Sequence, residues 1–125
     1  MPSPAVIFVY GTLKRGFCRD HYLHGQRFLG MGLTQPKYRM LNCGTYPGLI
    51  AVPGDGRSIQ GELWAVDEVC LARLDQEEGV SERLYSRDSI ELAPPLPEGI
   101  RATEVEAYFY LLPTTGFPDC GDQWT

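Results

Sequence analysis

Glycine and proline recur 14 and 10 times in this 125-residue chain, which leaves little room for long uninterrupted elements. Glycine loosens a helix or strand, and proline removes a backbone donor, so both act as punctuation. The chain therefore predicts many turns and short strands rather than long helices. Asp67 opens the one well-signalled helix. It is a favoured N-cap, Glu68 suits the first turn, and Gly79 stands where the helix would end.

The run Ala5-Val6-Ile7-Phe8-Val9-Tyr10, bounded by Pro4 and Gly11, is apolar throughout and rich in β-branched and aromatic residues. It reads as a buried strand. Phe28 to Thr34, Tyr38 to Cys43, Gly48 to Val52, Ile59 to Val66 and Glu104 to Leu112 read as further short strands parted by turns. Between Leu84 and Leu92 the residues alternate, with Leu84, Ser86, Asp88, Ile90 and Leu92 on one side. Cys18 to Leu29 is a candidate short helix. The expected fold class is α+β, a small mixed β-barrel of about six to seven strands with one or two helices at its side or mouth. No repeat or linker divides the chain, so residues 1–125 are expected to form one domain, with 113–125 an irregular tail.

The net charge of −5 argues against a nucleic-acid partner, because binding phosphate needs a cluster of Lys and Arg. The first apolar run is too short for a membrane span or signal sequence, so a cytoplasmic location is expected. Cys18, Cys43, Cys70 and Cys120 contain no Cys-x-x-Cys pair and suggest neither a zinc ribbon nor a redox motif. Cys18, His21 and His24 could touch a metal from one helical turn, but they lack a fourth ligand.

Two segments have the composition of a reactive site. Tyr10-Gly11-Thr12-Leu13 follows the first strand directly, and successive N–H groups in such a turn can hold a carboxylate or an oxyanion. The same residues also make an ordinary β-turn, which residue types alone favour. The second segment is Leu74-Asp75-Gln76-Glu77-Glu78-Gly79. On a helix Glu78 falls roughly 30° from the centre of the apolar stripe of Cys70, Leu71 and Leu74, and Glu77 about 65° away on the other side. A carboxylate beside apolar surface is desolvated, which suits it to carry a proton near neutral pH. A frayed helix end with both glutamates in solvent is the simpler reading of the geometry by itself.

Taken in order, Tyr10-Gly11-Thr12-Leu13-Lys14-Arg15-Gly16, Gly44-Thr45-Tyr46-Pro47-Gly48, Gly61-Glu62-Leu63-Trp64-Ala65-Val66-Asp67, Leu74-Asp75-x-x-Glu78-Gly79 and Leu84-Tyr85-x-Arg87 resemble the γ-glutamyl cyclotransferase-like superfamily. The look is closest to its γ-glutamylamine cyclotransferase members. The resemblance implies a β-barrel enzyme that releases 5-oxoproline and a free amine from a γ-glutamyl amine or γ-glutamyl amino acid. It implies Glu78 as catalytic base and acid, Tyr10 to Leu13 as the substrate loop, and no metal or organic cofactor. Tyr46 is a candidate for the pocket mouth. Arg87 is a candidate partner of a substrate carboxylate, although pairing with a neighbouring Asp or Glu is commoner. In one respect the sequence departs from the pattern: Glu77 stands where an aromatic residue often precedes the catalytic glutamate. The alternative is a barrel of the same fold that binds a small ligand without turnover.

Overall fold

The computed structural model describes residues 5–124. Seven strands, β1 (Ala5–Val9), β2 (Arg27–Leu33), β3 (Tyr38–Asn42), β4 (Pro47–Ala51), β5 (Gln60–Val66), β6 (Tyr85–Ser89) and β7 (Val105–Tyr110), accompany one α-helix, α1 (Glu68–Glu77). Two short 3₁₀ turns lie at Asp20–Leu23 and Ala102–Glu104. Five strands form a mixed sheet in the order β2-β5-β1-β7-β6, and β3 and β4 form a separate hairpin. Strand β1 runs antiparallel to β5 and parallel to β7. The large sheet does not close as a continuous ladder. Its outer strands are joined just beyond their ends, where Thr34 bridges Leu92 and the Ala93 N–H donates to the Leu33 carbonyl at 2.7 Å. The result is a curled, barrel-like α+β fold.

The unbroken apolar character of β1 follows from its place in the middle of this sheet, covered on both faces. Ile7 and Val9 point into a core shared with Trp64, Val66, Cys70 and Leu74, on the side where α1 lies. Phe8 and Tyr10 point into a second core with Met40, Leu49, Leu63 and Ile90, on the side of the β3–β4 hairpin. Burying each large side chain of this kind contributes about 1.5–3 kcal/mol.

Helix α1 is fixed at both ends. Asp67 caps its start by accepting the Cys70 N–H at 2.7 Å. At its finish Gly79 takes φ +68, while the Gly79 N–H donates to the Gln76 carbonyl at 3.1 Å and the Val80 N–H to the Asp75 carbonyl at 3.0 Å. This paired closure is a Schellman motif, so the helix does not fray there.

The structure corrects one sequence expectation. Cys18 to Leu29 is not an α-helix, since only Asp20–Leu23 coil, as a 3₁₀ turn, and β2 has begun by Arg27. The alternating segment after α1 presents side chains to both cores. Tyr85 is buried in the core beneath α1 and Ile90 in the opposite core, because each face of the segment meets a different core at a different end. The segment beyond β7 contains no helix or strand through residue 124, but it is tied down. The Cys120 N–H donates to the Met40 carbonyl at 2.8 Å, and the Asn42 N–H to the Pro118 carbonyl at 2.8 Å. No helix among the described residues is long and apolar enough to cross a membrane.

Candidate active site

Where β1 leaves the sheet, Gly11, Thr12 and Leu13 form a turn closed by the Lys14 N–H donating to the Gly11 carbonyl at 3.1 Å. The Arg19 N–H donates to the Thr12 carbonyl at 2.9 Å, folding the next segment back over the turn. The N–H groups of Gly11, Thr12 and Leu13 donate no hydrogen bond to any described residue. Gly11 is needed for packing rather than for an unusual φ: a Cβ built there would lie 2.6 Å from Pro47 Cγ. Pro47, at the start of β4, forms the opposite wall.

The end of α1 brings Glu78 to this turn. A cavity is lined by Tyr10, Gly11, Thr12, Leu13, Arg19, Pro47, Glu78, Tyr85 and Tyr108, together with Phe8 and Val9 of β1. It adjoins an outer mouth lined by Cys18, Thr45, Tyr46, Glu77 and Leu84, together with Thr12, Arg19, Glu78 and Tyr85 from the inner chamber. Glu78 is only 6% exposed. It lies one turn after fully buried Leu74 and keeps helical backbone angles, φ −81 and ψ −3, so its side chain stays on the core-facing side of α1. Burial raises its carboxyl above the ordinary value of 4.5, the nearby Arg19 charge opposes that rise, and Glu77 adds to it. The negative end of the helix dipole acts in the same direction as burial. No described residue donates a hydrogen bond to this carboxylate; hydrogen bonding is not among the causes of its shift.

Glu77 is placed quite differently. One of its oxygens accepts from Arg19 Nη1 at 3.1 Å and the other from the Tyr22 hydroxyl at 2.8 Å. Adjacent in sequence, the two glutamates diverge: Glu77 braces the 3₁₀ turn, and Glu78 faces the cavity.

The phenols around the cavity all donate to the protein itself. The Tyr10 hydroxyl donates to the Tyr108 carbonyl at 2.7 Å, the Tyr85 hydroxyl to the Pro47 carbonyl at 2.8 Å, and the Tyr108 hydroxyl to Asp75 Oδ1 at 2.7 Å. Burial pushes all three phenols well up, so they stay protonated near neutral pH. Arginine does not release its proton in this range. Among the residues that line the inner cavity, Glu78 is thus the one group suited to take up and return a proton.

Of the residues expected from sequence, Tyr10, Gly11, Thr12, Leu13 and Glu78 share the inner cavity, and Tyr46 lines the mouth. Arg87 lines neither. It shares a strand face with Tyr85 and binds Asp75 through Nε at 2.9 Å and Nη2 at 3.2 Å, while Nη1 reaches Glu106 at 2.8 Å. It therefore pins α1 to β6 and β7. His21 is exposed and borders neither space. Among the described residues, no group of three or more His, Cys, Asp or Glu is arranged to hold a metal. Arg19, Pro47, Tyr85 and Tyr108 also line the cavity and were not among the site residues expected from sequence, although Pro47 and Tyr85 stand in the motifs quoted above. Tyr85 carried a usable signal as a lone aromatic just after the helix, whereas Arg19 lies in an irregular loop with no periodicity to orient it.

The family model described as γ-glutamyl cyclotransferase, AIG2-like, matches residues 7–124. A human γ-glutamylaminecyclotransferase is 36% identical over 119 residues, covering 85% of this chain and 77% of its own. A putative γ-glutamylcyclotransferase of Vibrio cholerae is 42% identical over 86 residues, covering 69% and 71%. One from Arabidopsis thaliana is 43% identical over 125 residues, covering 86% of this chain and 66% of its own. Among solved structures, a mouse AIG2-like protein superposes with a TM-score of 0.77 at 28% identity, covering 97% of this chain and 88% of that one. The match spans both the loop after β1 and the end of α1, and the chain belongs to the γ-glutamyl cyclotransferase, AIG2-like family.

Proposed function

We propose that the cavity between the Gly11–Leu13 turn and Glu78 is where this cyclotransferase closes a γ-glutamyl group into 5-oxoproline, with Glu78 as base and then acid. The observation that carries the reading is a buried carboxylate without a protein donor, in one cavity with three amides that also lack a protein partner.

A γ-glutamyl compound contains its own nucleophile, so no activated Ser or Cys is needed. The protein has to hold the flexible chain in its cyclising shape. Glu78 takes a proton from the α-ammonium, and the freed amine forms a bond to the γ-carbonyl carbon. The carbonyl electron pair moves onto oxygen, where the turn amides stabilise it. Collapse restores the carbonyl and breaks the bond to the departing nitrogen. Every proton lost by the attacking nitrogen is delivered to the departing one, so Glu78 ends as it began and no water is consumed. The leaving amine departs through the mouth beside Tyr46.

Supplying γ-glutamyl-ε-lysine and γ-glutamyl amino acids should yield 5-oxoproline and the free amine in equal amounts, without free glutamate. Glu78→Gln should keep the circular-dichroism spectrum and lose turnover by about 10²- to 10⁴-fold. An active Gln variant, or glutamate as product, contradicts the reading.

A further inference from the structure

The cavity holds a positive charge that the chemistry above does not use. Arg19 lines both the inner chamber and the mouth. A guanidinium has five N–H donors in a rigid fork. Here Nε donates to Thr12 Oγ1 at 2.8 Å and Nη1 to Glu77 at 3.1 Å. Both N–H bonds of Nη2 remain without a partner among the described residues, as does the second on Nη1. The side chain is 23% exposed, so this edge is partly withdrawn from water. Thr12 and Glu77 hold the guanidinium from two sides, which fixes it before any ligand arrives.

The α-carbon of a γ-glutamyl group carries an ammonium and a carboxylate together. Glu78 must face the ammonium to take its proton, so the carboxylate has to sit close by. Arg19 is close enough to Glu78 for their charges to act on each other. Glu77 would repel an anion here, but its two oxygens already accept from Arg19 and Tyr22. Resting on the reading of Glu78 given above, we infer that Arg19 is the anchor for the α-carboxylate of the glutamyl group, which leaves the Gly11–Leu13 amides to the transient oxyanion. The cation and Glu78 together match the zwitterionic α-carbon, and the substrate class narrows to amides that retain a free α-carboxylate.

The test compares γ-glutamyl-ethylamide with 4-aminobutyryl-ethylamide, which differs by lacking the carboxylate and cyclises to 2-pyrrolidinone. Wild type should favour the first in kcat/KM by roughly 10- to 100-fold, the range of a charge-assisted bidentate contact. In Arg19→Gln the preference should fall to near one, with Arg19→Lys retaining part of it. Any effect of the substitution on Glu78 itself cancels in this ratio. Binding of 5-oxoproline against 2-pyrrolidinone, followed by NMR, gives the same comparison without turnover. A preference that survives Arg19→Gln overturns the inference, and so does a wild type without preference in either assay. A wild type that binds 5-oxoproline through Arg19 but turns over neither amide keeps the anchor and refutes the proposed reaction.

Discussion

A buried carboxylate without a protein donor works against the fold that contains it. Burial raises the Glu78 carboxyl above 4.5, so the folded state binds its proton more tightly than the unfolded chain does. Stability is then lost as pH rises from 4.5 through the raised value. Glu78→Gln removes that penalty, so its melting temperature should exceed wild type at pH 7 and the gain should vanish near pH 4. A variant equally or less stable at pH 7 contradicts the burial argument. Because Arg19 lowers the Glu78 value, Arg19→Gln should move the acid limb of the pH–rate profile upward. An unmoved limb would separate the two groups. The two glutamates also mark the limits of sequence reading at this scale. Position on the helical wheel favoured Glu78 over Glu77, and the structure agrees in orientation, because α1 remains helical to its cap. What Glu77 does was not legible, since its partners lie 55 and 58 residues away in a segment without periodicity.

At the scale of elements, both sides of the site depend on glycines with different tasks. Gly79 sits at φ +68, where a side chain is strained, and a Cβ there would also lie 3.2 Å from Leu84 Cβ. Gly79→Ala should cost about 1 kcal/mol and also lower kcat, because the cap it replaces sets the direction of Glu78. Gly11→Ala drives a Cβ into the stiff Pro47 ring and should cost roughly 1–3 kcal/mol with a matching loss of substrate binding. Chemical denaturation alongside steady-state kinetics checks both. Strand β1 and helix α1 were readable because their signals are local: a segment buried on both faces is apolar throughout, and Asp67 and Gly79 bracket the helix. Strand β6 was harder to read. It pairs only with β7, and Asp88 and Ser89 are exposed, so its composition does not reveal that Tyr85 turns inward. Arg87 was a natural candidate for an anion, and the bidentate partner it found was Asp75 of α1.

Across the whole molecule, the site is a junction between the five-stranded sheet, the hairpin and the helix. The Tyr10 hydroxyl donates to the Tyr108 carbonyl of β7 and accepts from the Leu49 N–H of β4 at 3.2 Å, so one phenol ties both sheets together. Tyr10→Phe leaves these buried groups unpaired and should cost about 1–3 kcal/mol in urea unfolding. An unchanged midpoint would show that the hairpin is held by packing alone. Lys14, just past the Gly11–Leu13 turn, donates through Nζ to the Trp124 carbonyl at 2.8 Å, which fastens the far end of the described chain to the candidate site. Sequence patterns indicated the barrel-like class through the spacing of short strands. Strand order, the bridge between Thr34 and Leu92 and this fastening all join residues far apart in sequence, which local periodicity does not encode.

The claim on which the rest depends is that Glu78 is a desolvated proton carrier. A ¹³C NMR titration of glutamate carboxyls, assigned by the signal missing from Glu78→Gln, measures this directly. A midpoint above 4.5 that coincides with the acid limb of kcat/KM is expected. A midpoint at or below that value, with the limb elsewhere, would contradict that claim.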